Sequence, residues 1–178
     1  MSVFRRLSHW VLATLLTLTS AGLLAAEADS TKPQAPAFTL PLLDSTGLTG
    51  SEVSLSDYQG QVVYLDFWAS WCTPCRKSLP WADALYQELK DQGFTVLAIN
   101  LDEEQEMATE FLQEVPLSFP VLYDGTGTVP PQYQVVGMPT SYIVDRDGKL
   151  RAVHTGFNPA SADQVADAIR TLIAGTGR

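Results

Sequence analysis

The stretch VVYLDFWASWCTPCRKSLP, Val62 to Pro80, decides how the rest of the chain folds. Its first half, Val62 to Trp68, is apolar and β-prone, broken by a single acid, Asp66, and reads as a buried strand. Its second half reads as a helix that begins at or just after Cys72. Pro74 falls in the first turn, where a missing N–H costs little. Cys72 is thereby placed at a helix N-terminus. The free N–H groups and the positive end of the dipole there favour a thiolate. Cys75 lies one turn further in, close enough to close a small disulfide with Cys72. A pair able to cycle between dithiol and disulfide reads as a redox site.

Asp66 is the other chemical group in the stretch. Its neighbours Tyr64, Leu65, Phe67 and Trp68 are apolar, so the carboxyl is expected to be buried. Burial raises a carboxyl pKa and prepares the group to take the proton from Cys75. Trp71, next to Cys72, is the best candidate for an aromatic that docks a substrate, and Trp68 reads as core.

The segment DFWASWCTPC, Asp66 to Cys75, resembles the active-site segment of thioredoxin. Its surroundings are similar to the extracytoplasmic branch of thiol:disulfide oxidoreductases that includes TlpA, ResA and the cytochrome c maturation thioredoxins. The resemblance covers Pro36 to Ala174. It implies an α/β, thioredoxin-like fold, with a central mixed sheet flanked by helices. A turn-rich stretch before an alternating one suggests a small N-terminal β-hairpin, and an extra αβ unit over Glu103–Tyr123 resembles the central insertion of this branch. The resemblance gives Asp66 the role of proton acceptor for Cys75. It implies a cis-Pro at Pro139, facing the CxxC, with Met138 before it touching substrate. With Trp71, Thr73 and Pro74, these residues form the expected substrate-binding set. ResA-like members carry a Glu shortly after the second Cys. Ser78 stands there in this chain, so the proton role rests on Asp66 alone.

Outward from this centre the chain divides simply. Residues 1–28 have Arg5 and Arg6, then seventeen uncharged residues from Trp10 to Ala26, then an Ala26-Glu-Ala28 cleavage pattern. They read as a signal peptide, with an uncleaved N-terminal anchor as the alternative. Either implies that the folded part lies outside the cytoplasm, in the periplasm, where a disulfide can form. Membrane contact is expected only if that segment is retained. Residues 29–35 read as a linker and 36–175 as the thioredoxin-like domain. Phe38–Leu43 and Glu52–Leu55 read as the N-terminal hairpin. Arg76–Asp91 reads as a helix with Pro80 inside it. Phe94–Leu101 and Phe119–Tyr123 read as strands. Glu103–Glu114 reads as a helix with Met107, Phe111 and Leu112 on its apolar side, and Val129–Val135 as a short helix. Pro139–Val144 and Lys149–Thr155 read as a hairpin, with a closing helix over Ser161–Ala174.

Composition excludes several classes. The chain has 178 residues and only two cysteines, so no structural disulfide or four-cysteine zinc site remains to be built. The net charge is −9, and removing residues 1–28 takes away two arginines and one glutamate, leaving −10. Nucleic acid is not an expected partner. No cofactor or metal is expected. His154 reads as an ordinary strand histidine. Protein thiols and disulfides are the expected substrates. The resemblance adds a membrane thiol carrier as redox partner, and apocytochrome c or a copper-site protein as target. Two other functions remain open. A thiol peroxidase of peroxiredoxin type has Thr or Ser three residues before its reactive Cys, where this chain has Ala69. A Sco-like copper chaperone uses CxxxC plus a His, where this chain has CxxC and, beyond residue 28, only His154.

Overall fold

The computed structural model describes residues 32–175; the expected signal segment lies outside them. Seven strands form one sheet: β1 (Thr39–Asp44), β2 (Gly47–Ser54), β3 (Val62–Trp68), β4 (Phe94–Asn100), β5 (Val121–Tyr123), β6 (Thr140–Val144) and β7 (Leu150–Thr155). The spatial order is β2-β1-β5-β4-β3-β6-β7. The β3–β4 and β4–β5 pairs are parallel, and the others are antiparallel. Every residue of β3 and β4 is buried. A parallel centre needs cover on both faces, which is why both sequences are nearly continuous apolar runs.

Three helices, α1 (Cys75–Leu89), α2 (Gln105–Glu114) and α3 (Pro159–Ile173), contribute to one apolar layer. In α1, Leu79, Ala82, Leu85 and Leu89 are buried at helical spacing. They meet Val62, Tyr64 and Trp68 of β3, together with Val165 and Ile169 of α3. The opposite face of β3 presents Val63, Leu65 and Phe67 to Phe38, Val129, Tyr133 and Tyr142. The α2–β5 unit enters the sheet between β4 and β1, so the expected central insertion widens the sheet. Among the described residues, no helix is long and apolar enough to cross a membrane.

The structure revises several boundaries. The segment Val129–Val135 is a run of turns, not a helix. Pro130 and Pro131 supply no N–H, and Gln134 takes a left-handed φ of 55°. The residues close i→i+3 bonds such as Gln132 N to Val129 O at 3.0 Å. In α2 the apolar stripe is Ala108, Phe111 and Leu112, while Met107 is 42% exposed. A stripe at i, i+3 and i+4 starting from Ala108 leaves Met107 on the solvent side. The closing helix starts two residues early, because Asn158 caps it: Ser161 N donates to Asn158 Oδ1 at 3.0 Å, with Pro159 at the first helical position. The expected linker also shortens. Gln34 bridges to Lys149, Ala35 N donates to Gly148 O at 2.9 Å, and Leu150 N donates to Pro33 O at 2.9 Å. The compact unit therefore begins at Pro33.

Candidate redox site

The site is built where β3 ends and α1 starts. Cys72 and Cys75 form a disulfide, with Cα atoms 5.2 Å apart. The assigned helix begins at Cys75, three residues later than the earliest start that the sequence suggests. The helical bonding pattern begins at Cys72 all the same, since Arg76 N donates to Cys72 O at 3.2 Å. Residues 73 and 74 turn the chain into the helix. The free N–H of Cys75 points at Cys72 Sγ, 3.3 Å away. That donor and the helix dipole favour negative charge on Cys72 once the disulfide is reduced. Cys72 is 5% exposed and Cys75 is fully buried. Ser78 occupies the turn behind them and donates to Cys75 O at 3.2 Å.

The loop before Cys72 is held from below by a group that sequence reasoning missed. Asp102, fully buried just past β4, accepts from Ser70 N at 2.9 Å and from Ser70 Oγ at 3.0 Å. Asn100 Nδ2 donates to the same carboxylate at 2.7 Å. Leu101 N donates to Trp68 O at 2.9 Å. The Asn100-Leu-Asp102 end of a buried strand was the available signal, since polar residues there are placed to reach the neighbouring loop.

Trp71 is 64% exposed beside Cys72. Thr73 and Pro74 are exposed, and Met138 is half-buried. The Met138–Pro139 bond is cis, as the resemblance implies. Trp71, Cys72, Pro74, Leu101, Val136 and Met138 line one groove of about 540 Å³, and no charged side chain lines it. The structure thus brings Met138 to the cysteines, with Pro139 buried at the start of β6.

Asp66 lies in the middle of β3, fully buried, and neither carboxylate oxygen has a formed hydrogen bond. Burial pushes its pKa up to about 7, opposed in part by the nearby Ser141 hydroxyl. That hydroxyl lies 2.6 Å from Tyr64 Oη, which is the hydrogen bond it forms. By strand alternation Asp66 shares its face with Val62, Tyr64 and Trp68, which pack in the same layer as both cysteines. His154 lies on β7, with Nε2 buried and unpartnered. Among the described residues, no group of three or more His, Cys, Asp or Glu is placed to hold a metal.

Residues 31–153 match the AhpC/TSA family. The chain is 37% identical over 105 residues to the thiol-disulfide oxidoreductase ResA of Bacillus thuringiensis subsp. konkukian, covering 59% of this chain and 61% of that protein. It is 37% identical over 118 residues to ResA of Geobacillus kaustophilus, covering 66% of this chain and 68% of that one. The chain thus spans about three fifths of the length of the Bacillus relatives it matches. A solved Chlorobium tepidum structure, described as a thiol:disulfide interchange protein DsbE, superposes with a TM-score of 0.74 at 45% identity. It covers 80% of this chain and 96% of its own. With a seven-stranded mixed sheet, a helix-start disulfide and these relatives, the chain belongs to the AhpC/TSA family, among its thioredoxin-like, ResA-like members.

Proposed function

We propose that this chain is a thiol:disulfide oxidoreductase that acts outside the cytoplasm and reduces disulfides in protein substrates. The observation that carries the reading is the Cys72–Cys75 disulfide at the head of α1, with the Cys75 N–H on the sulfur that lines the open groove. In the reduced protein the Cys72 thiolate attacks one sulfur of a substrate disulfide, and the other substrate sulfur leaves as a thiolate. Cys75 then gives its proton to the Asp66 carboxylate and attacks Cys72 Sγ. The second substrate sulfur leaves, so two electrons pass to the substrate and the disulfide is restored. The uncharged groove suits an extended apolar segment around the substrate cysteine. Asp66, buried with neither oxygen paired, suits a base whose pKa lies near working pH.

Residues 1–28 act in this proposal as the export signal, or as an anchor if retained. A membrane thiol carrier returns the electrons, and the targets are proteins of the cytochrome c or copper-site assembly kind. The reduction potential of the Cys72–Cys75 pair tests the direction. A value near ~−270 mV supports a reductant, and one near ~−120 mV makes the same site an oxidant. Steady peroxide consumption by the reduced protein would instead favour a thiol peroxidase. Tight copper binding by it would favour a chaperone.

A further inference from the structure

Among the described residues, the buried side-chain polar atoms without a hydrogen-bond partner are both Asp66 oxygens, Trp68 Nε1 and His154 Nε2. Such atoms are rare in folded proteins, and each calls for a physical reason. Asp66 and His154 share a row. Asp66 is the cross-strand partner of Ser141, and Ser141 is the cross-strand partner of His154. Residues directly opposite on neighbouring strands project from the same sheet face, with Cβ atoms ~5 Å apart. The three side chains therefore run as a line across β3, β6 and β7, from the middle of β3 toward the β7 edge of the sheet. A hydroxyl, able both to accept and to donate, stands between a carboxyl and an imidazole.

Opposite Asp66 on the other side, β4 presents Ala98, with Val96 one step back and Asn100 one step on, where the Asn100 amide is taken up by Asp102; α3 adds Val165 and Ile169 to the same layer. The titratable residues in this layer are Cys75 on α1, Tyr64 on β3, Asp102 just past β4, bonded to Asn100, and His154 at the end of the row. Burial pushes the Tyr64 phenol up, so it holds its proton at neutral pH. The hydrogen bond that Ser141 Oγ forms is shared with Tyr64 Oη, at 2.6 Å. A Ser141 hydroxyl that turns from Tyr64 toward its cross-strand neighbours connects the two unpaired groups.

We propose that Asp66, Ser141 and His154 form a proton route across the sheet, in which His154 returns to solvent the proton that Asp66 takes from Cys75. The proposal rests on Asp66 being the base for Cys75, and adds how that base is emptied. The proton on Asp66 passes to Ser141 Oγ while the Ser141 hydroxyl gives its own to His154 Nε2. His154 then releases a proton from Nδ1 to water. One proton leaves Asp66, one reaches solvent, and no electron moves. His154 touches no reacting sulfur and is a positioning residue for the proton.

The test separates the base from its exit. Reduced protein is mixed with a disulfide peptide at pH 8, after equilibration at pH 8 or directly from pH 5, and release of the reduced peptide is followed through one turnover. At pH 5 Asp66 holds its proton and must lose it before it can serve Cys75. His154→Gln is expected to match the parent after equilibration at pH 8, and to lag at least about tenfold after the jump from pH 5. Ser141→Ala, which leaves the imidazole in place, is expected to show the same lag. Asp66→Asn is expected to slow release under both conditions. A His154→Gln protein without a lag, while Asp66→Asn remains slow, overturns the route and leaves the base standing. Equal slowing by His154→Gln under both conditions marks a merely structural histidine and also overturns it. An Asp66→Asn protein that is slow in neither condition removes the base itself, and the route with it.

Discussion

Asp66 carries most of the site's energetic tension. A carboxyl without a partner in an apolar layer is destabilising when charged. Its folded pKa of about 7 lies above the ~3.9 of an unfolded Asp. Between those values the folded state binds more protons than the unfolded one. The stability that Asp66 contributes is therefore full below pH ~4, falls as pH rises toward 7, and levels off above. With the disulfide intact, the decline is expected to be about 2–4 kcal/mol. Asp66→Asn removes the titration, so its denaturant midpoint should stay flat over this interval and exceed the parent's at pH 8. An Asn variant as pH-sensitive as the parent would show that Asp66 is not the group responsible. The burial of Asp66 was legible in the sequence, because its flanking residues are all apolar. The alignment of Ser141 and His154 with it was not. It depends on the register of two antiparallel pairings, and a one-residue slip would have put both side chains on the opposite face.

At the scale of elements, the redox loop is a short bridge held at both ends. Its far end is the first turn of α1, and its near end is the Asp102 carboxylate beneath Ser70. Asp102→Ala leaves the buried Asn100 side-chain amide and the half-buried Ser70 N–H without their acceptor. The expected loss is about 2–4 kcal/mol. The freed loop should also lower the alkylation rate of Cys72 in the reduced protein, because the Cys75 N–H no longer meets the sulfur at a fixed distance. Thermal melts and timed alkylation check the two effects separately. An Asp102→Ala protein that melts like the parent would mean that water replaces the carboxylate. The strands and long helices were legible from period and composition, and the Val62–Leu89 unit most clearly. The Val129–Val135 turns were not, since two adjacent prolines fit a helix start as well as a turn run. Met107 was misplaced because Ala108, small and uninformative in hydropathy, is the residue that turns inward.

At the scale of the whole molecule, the sheet order explains why one end carries the chemistry. The parallel strands β3 and β4 both end at Trp68 and Asn100, next to each other, and the loops leaving them hold the disulfide and its Asp102 support. The segment entering β6 brings Met138 to the same groove. The α2–β5 unit lies on the β4 side of this centre, and the β6–β7 hairpin, on which the proposed proton route ends, lies on the β3 side. The sheet plan was readable because DFWASWCTPC carries the family resemblance, which implies a mixed sheet, and because the other strands stand out as separate apolar or alternating runs. The attachment of Pro33–Ala35 was not, because its backbone bonds to Gly148 and Leu150 leave no mark in side-chain pattern. The chemistry of this end turns on a division of labour between the two sulfurs. Reduced Cys75→Ser protein, incubated with a disulfide-containing protein and resolved by non-reducing mass spectrometry, tests it most directly. A stable covalent adduct on Cys72 is expected, and none with Cys72→Ser protein. An adduct that forms through Cys75 in Cys72→Ser protein, or no adduct with Cys75→Ser, would contradict it.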